Sequence, residues 1–213
     1  DIGLNSTVQV DGNFDGVAGY NLLSKAGDGT LVLAGQGGPT GGVRLDGGTL
    51  VVTGDYQNID DTNFGLSVTA AGATVELGSV SAQPLQSDRG WHLQQDMTLR
   101  TTDSAARSMD GNVRFGGSLA TLTLDGPGDL GFGGEWNLAN ENPWLDIAAD
   151  RTVTLSGALS GNKGLNKKGD GTLILAGSGT TNYGVQMTAG TLVVTGEYAE
   201  DDGGHFGLSV TGP

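Results

Sequence analysis

Two stretches carry the densest chemistry-bearing side chains in this chain of 213 residues, "GDYQNIDD" at 54–61 and "GEYAEDDGGH" at 196–205. Clustered carboxylates of this kind could ligate a hard cation. A Ca²⁺ ion would take oxygens from Asp55, Asp60 and Asp61, or from Glu197, Glu200, Asp201 and Asp202. Calcium wants six to eight oxygens, and neither stretch has the EF-hand spacing or a glycine-aspartate nonapeptide repeat. The plainer expectation is a solvated acidic loop. Carboxylates paired on one face would also serve glycoside hydrolysis, the natural enzymatic alternative for a chain of this type. Nucleophilic catalysis has less support, because no serine has glycine at both i−2 and i+2 as a nucleophile elbow requires. The two histidines, His92 and His205, lack a recognisable partner motif, and His205 stands where the matching stretch has Asn63. No catalytic residue is assigned, and the chain is expected not to be an enzyme.

Aromatic residues supply the other candidate contacts. Tyr56 and Tyr198 open the two acidic stretches, while Trp91, Trp136 and Trp144 lie between them. An exposed Trp stacks on sugar rings, but Trp also fills cores, and the packing role is the first expectation for all three. The tyrosines would either pin the acidic loops or form a repeated contact.

The elements that must hold these residues are repeated. "KAGDGTLVLAG" from Lys25 returns as "KKGDGTLILAG" from Lys167, and residues 23–69 match 165–211 without a gap at an offset of 142, with 28 identities in 47 positions. Self-similarity at a fixed period signals a repeat architecture. It also argues against catalysis in the acidic stretches, whose residues differ between copies while the strand and turn text is kept.

Strand-like runs recur throughout: "TVQV", "TLVLAG", "GVRLD", "TLVVTG", "GLSVT", "ATVEL", "WHL", "MTLRT", "NVRF", "ATLTLDG", "DLGF" and "TVTLSG". Apolar residues alternate with polar ones, the period of a strand with one buried face. Gly-Gly, Asp-Gly and Asn-Gly between them turn the chain. In "GDGTLVLAG" the spacing predicts a corner at Gly27–Gly29, Leu31 and Leu33 pointing in, and Val32 pointing out. No helix is predicted, and "DSAARSM" at 103–109 reads as loop. A sandwich would not explain near-identical text 142 residues apart, whereas a solenoid accepts duplicated coils. The prediction is an all-β, parallel β-solenoid of about nine or ten coils of roughly 20–25 residues, with 1–213 a single segment of a longer rod and the 142-residue unit spanning about six coils.

Composition narrows the setting. Forty glycines without a strict period exclude collagen. Ten Lys and Arg against 24 Asp and Glu give a net charge of −14, which repels phosphate backbones and anionic lipid. Nucleic acid is not expected as a partner. With no cysteine there is neither a disulfide framework nor a thiolate site, and no apolar run is long enough to insert in a membrane.

The text from Leu145 to Gly196 closely resembles the passenger-associated repeat of bacterial autotransporters. Leu155, Gly157, Gly161, Leu165, Lys167, Gly169, Gly171, Thr172, Leu173, Leu175 and Gly177 fall on its pattern, as do Gly184, Gly190, Thr191, Leu192 and Val193. The earlier copy fits less well, since "GQGGPTGG" replaces the usual Asn-Tyr-Thr-Gly segment. The resemblance implies a right-handed parallel β-helix displayed on the cell surface through an outer-membrane β-barrel that is not part of this sequence. It further implies the shaft of an adhesin, meeting host-cell surfaces or glycans or associating with itself in aggregation and biofilm. The alternatives are a carbohydrate-binding or polysaccharide-degrading β-helix, and a passive spacer or folding-assisting segment.

Overall fold

A computed structural model describes residues 1–13, 22–37, 42–55, 65–78, 90–117, 121–181, 183–198 and 207–211. Among them there is no helix, and every strand pairing is parallel. The strands stack into a ten-stranded, a nine-stranded and a five-stranded sheet, each built from strands far apart in the chain. This is the predicted β-solenoid. Partners on the ten-stranded face, such as Thr30, Thr49 and Thr74, recur once per coil. Ten strands at about 4.8 Å spacing make a rod about 43 Å long.

Alternation decides which face is buried. Leu31 and Leu33 point into the rod while Val32 faces out, and Leu50 and Val52 lie directly above the two leucines. Leu173 and Leu175 repeat the arrangement around Ile174. Each fully buried Leu or Val contributes about 1.5–3 kcal/mol, and the stack joins them into one continuous core running the length of the rod.

The two copies of the duplicated text occupy different faces. Partners climb the nine-stranded sheet in six steps, from Leu23 through Val43, Leu66, Trp91, Val113 and Trp136 to Leu159. Leu165, the counterpart of Leu23, comes one strand later and belongs to the ten-stranded sheet. Thr30–Leu33 accordingly sits in the ten-stranded sheet, and its counterpart Thr172–Leu175 in the five-stranded one. An offset of 142 residues is therefore six turns and one further face, where the sequence suggested about six coils.

The corner glycines explain the repeated "AG" and "TG" text. A Cβ on Gly54 would lie 1.9 Å from the Gly35 carbonyl oxygen, and one on Gly35 would lie 2.1 Å from that of Gly12. The same contact recurs from Gly196 to Gly177, Gly157 and Gly134. Backbone of one coil rests on backbone of the next, so glycine is required here by closeness rather than by positive φ. Gly27 and Gly169, at the turns that open the two copies, do take positive φ, 77° and 74°.

Segment 103–109 is among those that depart from the reading. Its text predicts a loop, and it ends in a strand at Arg107–Met109 that opens the five-stranded sheet among the described residues. Arg107 points into the rod, and its polarity hid the alternation. Its Nη2 donates to both oxygens of Asp103 at 2.9 Å, and Nε donates to the Gly78 carbonyl at 2.8 Å.

Candidate functional site

The acidic stretches are described only in part. Asp60, Asp61, Glu200, Asp201, Asp202 and Tyr56 lie outside the described residues. Asp55 bridges to Gln36 of the coil below, and the matching Glu197 pairs with Ser178. Backbone geometry thus repeats at the root of both loops: Asp55 N donates to Gly35 O at 3.1 Å and Glu197 N to Gly177 O at 3.0 Å. Among the described residues no three His, Cys, Asp or Glu side chains gather as a metal site would need.

Tyr198 lies half-buried against the core. Its ring covers Gly179 of the coil below, where a Cβ would come within 2.6 Å of the ring. Burial raises the phenol above its ordinary pKa, and the Gly177 backbone opposes the shift. This tyrosine fastens the root of the acidic stretch to the shaft. With Ser160, Ser178 and Glu197 it also lines a shallow groove of about 600 Å³.

The three tryptophans separate. Trp91 and Trp136 are closed to solvent and offer no contact surface, which corrects their candidacy. Trp136 packs edge-on to Phe132 at 4.9 Å and tilted against Phe115 at 5.2 Å, while Trp91 meets Phe132 at 6.3 Å. Both indole N–H groups are buried without an acceptor among the described residues. Edge-to-face pairs worth about 0.5–1.5 kcal/mol each offset that penalty. The alternation of Trp136 and Leu138 around Asn137 was the available sign that Trp136 faces inward.

Trp144 is different. It begins the strand Trp144–Ile147, whose Leu145 and Ile147 point in, so the indole faces outward on the ten-stranded sheet. Above it in register stand Asn166, Gln186 and Ser209, and below it Thr121. One bulky aromatic thus interrupts a column of small polar residues. A groove of about 540 Å³ runs along this column, bounded by Asn142 and by Tyr183, which is 70% exposed. Asn142 Oδ1 accepts from Gly164 N at 2.9 Å, and Asn166 Nδ2 donates to Asn142 O at 3.0 Å, which fixes both amides.

Besides Arg107, two lysines are buried that the sequence did not mark as inward. Lys25 is 2% exposed and Lys167 fully buried. Lys25 Nζ donates to the carbonyls of Gly27 (2.6 Å), Gly47 (3.0 Å) and Ala26 (3.1 Å). Lys167 Nζ repeats this with Gly169 (2.8 Å), Ala189 (3.0 Å) and Lys168 (3.3 Å). Desolvation pulls both ammonium groups below the ordinary lysine value; Asp28 opposes at Lys25, and Asp170 and Asp146 at Lys167. With backbone carbonyls as hydrogen-bond acceptors, each lysine ties two coils together. Its identity in both copies was the signal that could have found it.

No model of a protein family matches the chain, and no solved structure matches it. Among curated proteins it is similar to the adhesin BmaC autotransporter of Brucella suis biovar 1 (strain 1330), 28% identical over 192 residues. That alignment covers 88% of this chain and 5% of the adhesin, so the chain spans a small part of its relative. The chain is a parallel β-solenoid, and its relative and its repeat text are both consistent with an autotransporter passenger.

Proposed function

We propose that this segment is the shaft of a surface-displayed bacterial adhesin, holding contact surfaces away from the cell and adding contacts of its own with host surfaces or with other shafts. The observation that carries this is the uninterrupted ten-stranded parallel sheet over one continuous core. A coil-on-coil stack resists bending because each backbone N–H and C=O along it is held by the coils on either side. Its similarity to an autotransporter adhesin supports the same reading. The role is non-catalytic. Repeated weak contacts along a rod raise avidity without a strong single site.

Beads coated with residues 1–213 test it, scored for clumping and for attachment to host cells. Adhesion in the segment itself requires clumping or attachment above that of bare beads. Loss of either on adding EDTA would assign the contact to the acidic loops and a divalent cation. Inert beads would reduce the segment to a spacer.

A further inference from the structure

We infer that the groove beside Trp144 binds a neutral oligosaccharide lying along the rod axis. This gives the adhesive reading a site and rests on that reading for its biological use. The argument begins with the anomaly of Trp144 itself. The other two tryptophans are inside, yet this one stands outward where its neighbours in register are Thr121, Asn166, Gln186 and Ser209. Packing does not require it there, since Leu145 and Ile147 of the same strand already fill the core.

What surrounds the indole suits a sugar. A pyranose has an apolar face of C–H groups that rests on an aromatic ring and an equatorial rim of hydroxyls that both donate and accept. Trp144 and the exposed Tyr183 offer the rings. Amides are the matching polar partners, because each presents a donor and an acceptor side by side. Asn142 and Asn166 are held in place by their bonds to the backbone, while Gln186 and Ser209 line the groove with no protein partner among the described residues.

Charge selects within the saccharides. Among the described residues that line the groove none has an ionised side chain, on a chain of net charge −14. An anionic glycan would meet a repulsive surface; the nearby cation, Lys168, two residues along from Asn166, is already engaged beside Asp146 at 3.7 Å and by donating to Thr121 Oγ1 at 3.3 Å. Size and direction also fit. The volume of about 540 Å³ falls within the range of small-molecule sites, about 300–1,000 Å³. Coils are spaced by about 4.8 Å, close to the length of one pyranose unit, so successive rings would meet Trp144, Asn166, Gln186 and Ser209 in turn.

Residues 1–213 should be applied to an array of neutral oligosaccharides, with sialylated and sulfated glycans as the anionic arm. Binding of a neutral member is then followed by titration and by tryptophan fluorescence, in which only Trp144 is placed to respond. Trp144→Ala should weaken binding at least tenfold and Gln186→Ala several-fold, with unchanged circular dichroism and melting. Gln186 and Trp144 both face outward, so loss of folding is not expected; Tyr183→Ala is a further outward variant. No neutral binding at millimolar sugar, preference for anionic glycans, or binding indifferent to Trp144→Ala would each overturn the inference. Bead attachment to cells is scored separately, so a groove that binds sugar on beads that fail to adhere would sink the adhesive reading and leave the site.

Discussion

Lys25 and Lys167 hold the same three backbone carbonyls of their respective corners, yet they do so on different faces of one solenoid. Lys25 lies in the nine-stranded sheet and Lys167 in the ten-stranded sheet. The corner is therefore a portable unit: a lysine, a Gly-Asp-Gly turn and an overhanging coil, indifferent to which edge of the rod it closes.

Removing that ammonium should expose its worth. In Lys167→Met the carbonyls of Gly169 and Ala189 lose their donor inside the rod. Hydrogen bonds to a charged group are worth about 1.5–3 kcal/mol, so a loss of about 2–3 kcal/mol is expected in urea denaturation. An unchanged midpoint would make the lysine dispensable packing.

The same residue gives a pH dependence of known sign. Below its lowered folded value, Lys167 carries its proton in both states and the folded chain bears the full desolvation penalty. Between that value and the ordinary lysine value, about 10.4, the unfolded chain keeps the proton and the folded chain releases it. Stability must rise with pH through this window. Denaturation of the parent and of Lys167→Met from neutral pH upward should show the parent's advantage widening; a constant difference would contradict the depressed value.

Glycine contacts at the corners predict a sharp contrast. Gly157→Ala would drive a methyl to 1.9 Å from the Gly134 carbonyl oxygen, backbone against backbone. Overpacking of that kind should cost about 3 kcal/mol or more. Gly131→Ala meets nothing closer than 3.6 Å and should change stability by about 0.5 kcal/mol or less. Thermal melts of the two variants decide whether closeness or mere composition accounts for the glycines.

The core aromatics allow a separation of volume from polarity. Trp136→Ala leaves a cavity beside Phe115 and Phe132 and should cost about 3–5 kcal/mol. Trp136→Phe keeps much of the ring and deletes an indole N–H that has no acceptor among the described residues, so about half that loss or less is expected, because an unsatisfied buried donor costs about 1–3 kcal/mol. Equal losses in the two variants would mean the N–H is satisfied in solution.

Polarity hid three of the strands. Strands such as Thr49–Val52 and Ala73–Leu77 were plain because their inward residues are apolar. Leu23–Ala26, Leu165–Lys168 and Arg107–Met109 were not read as strands, and each hides a cation at an inward position, Lys25, Lys167 or Arg107. A charge reads as surface until its partners are known, and those partners are backbone carbonyls that leave no mark in side-chain text.

Alternation and repetition, both local properties, were enough to establish an all-β solenoid, the inward leucines and the turning glycines, because a strand's period and a coil's length are written along the chain. Which face each strand joins depends on how many residues each intervening coil spends at its corners, summed over six turns, and so only the folded stack placed the second copy one face around from the first. The tryptophans divided for the same reason. Whether an indole points in or out hangs on the register of its own strand against its neighbours, and that register put Trp136 among phenylalanines and Trp144 beside an open groove.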